Sequence, residues 1–175
     1  QDGAHALVLS GGFVSKAPMY VMRGAMPIKS MTHYMNCWWL KYGVRMVGKW
    51  MIPTVPFKIL LLNGTYHQKV IIDRPNIVLV GENRDSTRIV LAETAQTRAI
   101  TEYHGRPVGN GVIVLQEGAD DCVISGLTVY NNYGTAVENT TIHQMAIFGR
   151  ATRTIIINSN VWADGNDALS LWAPG

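Results

Sequence analysis

The sequence predicts an all-β protein whose strands wind as coils of a parallel solenoid, and three observations predict it. From residue 57 onward the apolar runs are short, four to nine residues, rich in Val and Ile, and bounded by Gly, Asn, Asp or Pro. Such runs form strands rather than helices. They are continuous more often than alternating, as expected of strands buried in parallel sheets and unlike the strict alternation of a small sandwich. Val123, Ala146 and Leu169 also head comparable positions 23 residues apart, a spacing that suits one β-helix coil.

In chain order the strands are FKILLL (57 to 62), KVIID (69 to 73), NIVLV (76 to 80), RIVLA (88 to 92), GVIVLQ (111 to 116), CVISGLTVY (122 to 130), MAIFG (145 to 149), TIIINSNVW (154 to 162) and ALSLW (168 to 172). No amphipathic helix is evident after residue 57. A coil of this kind cannot bury its own inner face, so equivalent residues stack into ladders along the axis. The turns at Asn131 and Asn132 and at 158 to 160 fit that stacking, because an Asn side chain can bond to the next coil and tolerates left-handed geometry. The polar stretch ETAQTRAITEYHGRPVGNG (93 to 111) interrupts the spacing and reads as a loop excursion, either walling a cleft or inserted passively.

Composition changes near Pro53 to Pro56. Residues 1 to 56 carry six Lys/Arg against the single acid Asp2, with seven of the eight Met and three of the five Trp. The expected division is therefore 1–56 as an unassigned leading segment or cap, and 57–175 as coils. The leading segment has no firm period: an unusual helical cap, an unrelated extension and a segment not natively encoded in this frame all stay open. Its charge is too thinly spread for a nucleic-acid surface. Its most apolar stretch (35 to 53) is interrupted by Lys41, Arg45 and Lys49, which argues against a membrane span.

The start at Gln1 and the stop just after an apolar strand suggest a piece of a longer protein, and no secretory leader is visible. Cys37 and Cys122, with no CxxC and no His at ligand spacing, do not suggest zinc. Two buried free thiols are the plainer expectation beside one disulfide.

The stretch FKILLLNGTYHQKVIIDRPNIVLVGENRDSTRIVL (57 to 91) resembles the early coils of pectinesterases, where a GTYxEKV turn and a PNITLIGExRDxTII stretch occur. HQMAIF (143 to 148) and GNDALSLW (165 to 172) follow in the family's order. The resemblance covers about residues 57 to 172. It implies a right-handed parallel β-helix that hydrolyses methyl esters of polygalacturonate (pectin, homogalacturonan) to methanol and free carboxylates, with no metal or organic cofactor. It further implies a monomer that binds no nucleic acid and works outside the cell or in the periplasm. The family's N-terminal capping helix, with its TIQxAI pattern, has no counterpart here.

Ester cleavage passes through a tetrahedral oxyanion, so a site needs a nucleophile, a proton donor for the leaving alcohol and hydrogen-bond donors aimed at the developing charge. The resemblance places Asp167 at the acid/base position, Asn166 at the Gln before it, and Gln144 at an oxyanion-donating Gln one coil earlier. One coil of separation, roughly 4.8 Å in a sheet, would bring Gln144 beside Asn166 and Asp167. Asn166 carries the same amide on a side chain one methylene shorter. Ala168 and Ser170 stand where the family has Thr and Tyr. The alternative is that residues 166 and 167 make a polar turn and Gln144 is a satisfied internal amide. The family's nucleophilic Asp and orienting Arg would fall beyond Gly175, so this stretch alone is expected to be inactive.

Trp172 offers an indole that could stack on a sugar ring, or pack beside the core. His104 and His143 are acid/base types without a carboxylate or Ser at motif spacing. His67 belongs to the GTY turn, GENRD (81 to 85) reads as a charged turn, and Trp162 is structural. Two other classes compete: a β-helix polysaccharide lyase, which would need a Ca²⁺-binding acidic cluster, and a non-catalytic glycan-binding or adhesion solenoid.

Overall fold

The structure, a computed structural model, describes residues 7–9, 19–22, 57–94, 102–103, 105–137, 143–165 and 167–172. Strands β1 (Leu7–Leu9), β2 (Met19–Met22), β3 (Phe57–Leu61), β4 (Gly64–Tyr66), β5 (Val70–Ile72), β6 (Ile77–Gly81) and β7 (Thr87–Leu91) open the chain. A two-residue pair, β8 (Glu102–Tyr103) and β9 (Arg106–Pro107), is followed by β10 (Gly111–Leu115), β11 (Val123–Ser125) and β12 (Thr128–Asn131). One helical turn, α1 (Tyr133–Val137), precedes β13 (Met145–Gly149), β14 (Ile155–Ile157), β15 (Asn160–Ala163) and β16 (Asp167–Leu171).

Apart from β8 and β9, which pair antiparallel with each other, these strands fall into three sheets visited in a fixed rotation, which makes a parallel β-helix. The first sheet is ordered β1-β2-β3-β6-β11-β14, the second β15-β12-β7-β4 and the third β16-β13-β10-β5. From β3 on, every pairing in these three sheets is parallel. β2 adds to β3 in parallel, and β1 to β2 antiparallel, so part of the leading segment lengthens the first sheet.

Register turns the apolar runs into ladders. Ile59, Leu79, Ile124 and Ile156 align across the first sheet, and Tyr66, Ile89, Val129 and Val161 across the second. Val70, Ile113, Ile147 and Leu169 align across the third. The inner members are wholly buried, whereas Leu169, on the last described coil, is 46% exposed. Three ladders facing one another form a continuous core that no single coil could bury.

The expected 23-residue recurrence is not a coil period. Val123 lies in the first sheet, paired with Val78 and Ile155, while Ala146 and Leu169 lie on strands of the third. Along the third sheet Val70 pairs with Ile113, Ile113 with Ile147 and Ile147 with Leu169, steps of 43, 34 and 22 residues. The steps differ because two insertions, 92 to 110 and 132 to 144, leave the helix at one corner, between the second sheet and the third. The same corner is crossed in three residues from β4 to β5 and from β15 to β16.

The expectation of a loop excursion at 93 to 111 agrees with the first insertion, and within GENRD the buried Gly81 ends β6 while Glu82, Asn83, Arg84 and Asp85 form an exposed turn before β7. The helical turn α1 was not expected. Cys122 is buried and free; Cys37 lies outside the described residues. No helix among the described residues is long and apolar enough to cross a membrane.

Candidate active site

The corner that carries both insertions is built on polar side chains stacked coil upon coil. Lys69, just before β5, places Nζ 2.6 Å from Glu93 Oε1 and donates to the Gly109 carbonyl at 2.7 Å. Glu93 and Gly109 stand near the two ends of the first insertion, so one buried ammonium gathers its base.

One coil on, the wholly buried Asn131 accepts from Glu93 N–H (3.2 Å) and Tyr133 N–H (3.2 Å). Its amide nitrogen donates to the carbonyls of Glu93 (2.7 Å) and Met145 (3.0 Å). The final rung is Asp164, whose Oδ1 accepts from Tyr130 Oη and Oδ2 from Thr135 N–H, both at 2.7 Å. Burial of the Asp164 carboxyl opposes its ionisation, but the bonds from Thr135 and Tyr130 outweigh it and hold the group below the usual carboxylate range.

This stacking explains a helix only five residues long. The first N–H groups of any helix lack internal partners, and here three side chains supply them: Asn131 to Tyr133, Gln144 Oε1 to Gly134 at 3.0 Å, and Asp164 to Thr135. Gln144 is wholly buried.

Gln144 directly precedes β13, and its neighbour Met145 pairs with Asp167, the first residue of β16. The structure therefore brings Gln144 and Asp167 to the same corner on adjacent coils. The bridged pairs pass from Met145 with Asp167 to Ile147 with Leu169, stepping over Ala146 and Ala168. Ala146 and Ile147 are both buried. Asp167 is half exposed, with Oδ2 3.9 Å from His143 Nδ1. Both groups are solvated, so the pair contributes little to stability. Asn166 lies outside the described residues.

Beyond that break, alternation is regular. Val114, Phe148 and Ser170 are in register across the third sheet, on the side opposite the inward ladder of Ile113, Ile147 and Leu169. Trp172 continues this outer row: it is 63% exposed, its indole N–H donates to Ser170 Oγ at 2.8 Å, and its backbone N–H bonds the Gly149 carbonyl. Asp167 and Trp172 are thus separated by one strand length, about 16 Å. Trp162 is also exposed, stacked at a tilt 5.5 Å from Tyr130. His104 lies outside the described residues. Among the described residues no group of three or more His, Cys, Asp or Glu is arranged to hold a metal.

Reading residues singly missed His143 beside Asp167, although its place one residue before Gln144 was a usable signal. It also missed the bonds that Asn131 and Asp164 make across coils.

No protein-family model matches the chain, and no curated protein does. Among solved structures it is similar to pectin methylesterase PemA from Erwinia chrysanthemi, with a TM-score of 0.48 and 20% identity over 69% of this chain and 37% of that one. It is also similar to a pectin methylesterase solved in complex with a hexasaccharide, with a TM-score of 0.42 and 19% identity over 63% of this chain and 39% of that one. The chain spans less than half the length of either. These are similarities of chain course; the parallel-coil architecture itself rests on the strand register.

Proposed function

We propose that residues 57 to 175 are coils of a pectinesterase-like carboxylic ester hydrolase acting on methyl-esterified polygalacturonate, with 1 to 56 as a leading segment or cap. In this reading Asp167 gives a proton to the leaving methanol and takes one back from water. Gln144, and Asn166 beside Asp167, donate hydrogen bonds to the oxyanion, and Trp172 stacks on a sugar ring further along the polymer. This reading assigns the nucleophilic carboxylate and the orienting Arg to none of the described residues. Monomeric action outside the cell or in the periplasm belongs to the same proposal.

The observation that carries this reading is the pairing of Met145 with Asp167, which places Gln144 and the carboxylate on adjacent coils at one corner. A half-exposed carboxylate and a buried amide at one corner of adjacent coils supply a proton donor and an amide N–H, two of the groups that ester cleavage requires. The full-length polypeptide should release methanol from highly esterified pectin, and Asp167→Asn should lower that rate by about 10²- to 10⁴-fold. Equal release by the two proteins refutes the assignment.

One observation favours a second reading. Gln144 is wholly buried and its oxygen caps α1, as it would in a solenoid that binds glycans without cleaving them. Pectin binding without methanol release by the full-length protein selects that reading.

A further inference from the structure

One motif of the sequence stays outside the proposed reaction. Asn63, Gly64 and Thr65 fit the acceptor pattern for N-linked glycosylation, an Asn followed two residues on by Thr with no Pro between. Asn139, Thr140 and Thr141 fit it too, but lie outside the described residues. The pattern alone selects nothing, because an acceptor Asn must also stand at the surface with its amide nitrogen available.

Asn63 meets both conditions. It occupies the turn between β3 and β4 and is exposed, as is Thr65. The turn is held mainly by its neighbours: Tyr66 is wholly buried and its hydroxyl donates to the Leu62 carbonyl at 2.8 Å, while Gly64 N–H donates to the Ser86 carbonyl at 2.9 Å. Asn63 reaches the next coil through its backbone N–H, on Glu82 Oε2 at 2.8 Å, and through Oδ1, which accepts from Thr87 Oγ1 at 3.2 Å. Its amide nitrogen carries two further donors, and among the described residues neither these nor the Thr65 hydroxyl have a partner. A sugar on Nδ2 therefore breaks no bond of the turn. A β-carbon added at Gly64 would meet nothing within 4 Å, so the flank of the motif is open as well.

The location keeps a glycan clear of the proposed reaction. β4 and β5 end the second and third sheets, three strands from β15 and β16, so Asn63 lies about 14 Å from Asp167 along the axis. It also stands at the corner between the first sheet and the second, with β4 between it and the corner that gathers Gln144 and Asp167.

We propose that Asn63 is the acceptor of an N-linked glycan. In the transfer, Nδ2 attacks the anomeric carbon of an oligosaccharide carried on a lipid pyrophosphate. The carbon–nitrogen bond forms, the carbon–oxygen bond to the pyrophosphate breaks, the lipid pyrophosphate leaves with that electron pair, and one Nδ2 proton passes to the transferase or solvent. The inference rests on the location outside the cell proposed above and is independent of the ester chemistry.

The test produces the full-length protein in eukaryotic cells behind a secretory leader supplied by the host, then treats it with peptide N-glycosidase in heavy-oxygen water. Release of a glycan leaves Asp with heavy oxygen at position 63, which spontaneous deamidation of the Asn-Gly pair before treatment does not. The peptide containing residue 63 should carry that label in the wild type and in Asn139→Gln, and lose it in Thr65→Ala. Thr65→Ala keeps both bonds of Asn63, so its loss of label reports the acceptor motif rather than the fold. An unlabelled residue 63 in the wild type, or a label that persists in Thr65→Ala, overturns the site. Methanol release by the same preparation is a separate readout: a labelled residue 63 without methanol release upholds the glycan site and refutes the esterase reading.

Discussion

Gln144 is held by its oxygen, and that fact separates two roles that a single substitution would confuse. Removing the side chain deletes a helix cap, worth about 1 kcal/mol, along with any donor to an oxyanion. Gln144→Glu keeps an acceptor for the Gly134 N–H and removes the amide donor, at the cost of a buried carboxyl that an unfolding measurement on the same variant would report.

Cys122 is simpler. Burial pushes its thiol from 9.0 up to about 12, a hydrogen bond from Ile77 acting against that rise and the nearby Asp120 and Asp121 adding to it. A raised folded-state value means the stabilising effect is complete below the unfolded value and is lost as pH climbs from about 9 toward 12, where the unfolded thiol ionises and the folded one does not. The urea midpoint should therefore fall over that interval with a component absent in Cys122→Ala. Identical pH profiles for the two proteins would count against a buried neutral thiol.

At the scale of elements, the corner between the second and third sheets governs the site. Asn131 makes four hydrogen bonds to backbone groups of three segments: the start of the first insertion, the start of α1 and the start of β13. Truncation would leave those groups buried without partners, each at a cost of roughly 1 to 3 kcal/mol partly recovered by relaxation. Asn131→Ala should destabilise the protein by about 3 kcal/mol in urea unfolding. A change below about 0.5 kcal/mol would mean that the corner is not held by this residue.

The strands were readable because each is a short β-branched run ended by Gly, Asn or Asp. Helix α1 was not, since five residues hold too little of a helical period and its stability comes from caps at positions 131, 144 and 164. The coil period misled for a related reason: Val123 and Ala146 look alike in a row of apolar runs, yet insertions of unequal length put them on different sheets.

For the whole molecule, the ladders explain how sites distant in sequence meet. Stacking of Val70, Ile113, Ile147 and Leu169 fixes the register of the third sheet, and that register alone brings residue 144 to residue 167. The sequence supplied the candidates Gln144 and Asp167 through a resemblance at their flanking runs. It could not reveal that Gln144 is buried or that His143 stands beside the carboxylate, because these depend on where the two insertions fold back.

The central claim is that Gln144 and Asp167 serve one reaction centre. Its most direct measurement is a double-mutant comparison of methanol release from highly esterified pectin by the full-length wild type, Gln144→Glu, Asp167→Asn and the combined variant. Residues that act as a unit are strongly non-additive, so the combined variant should be no slower than about the worse single one. Losses that multiply, or a Gln144→Glu protein as fast as the wild type, would contradict the account.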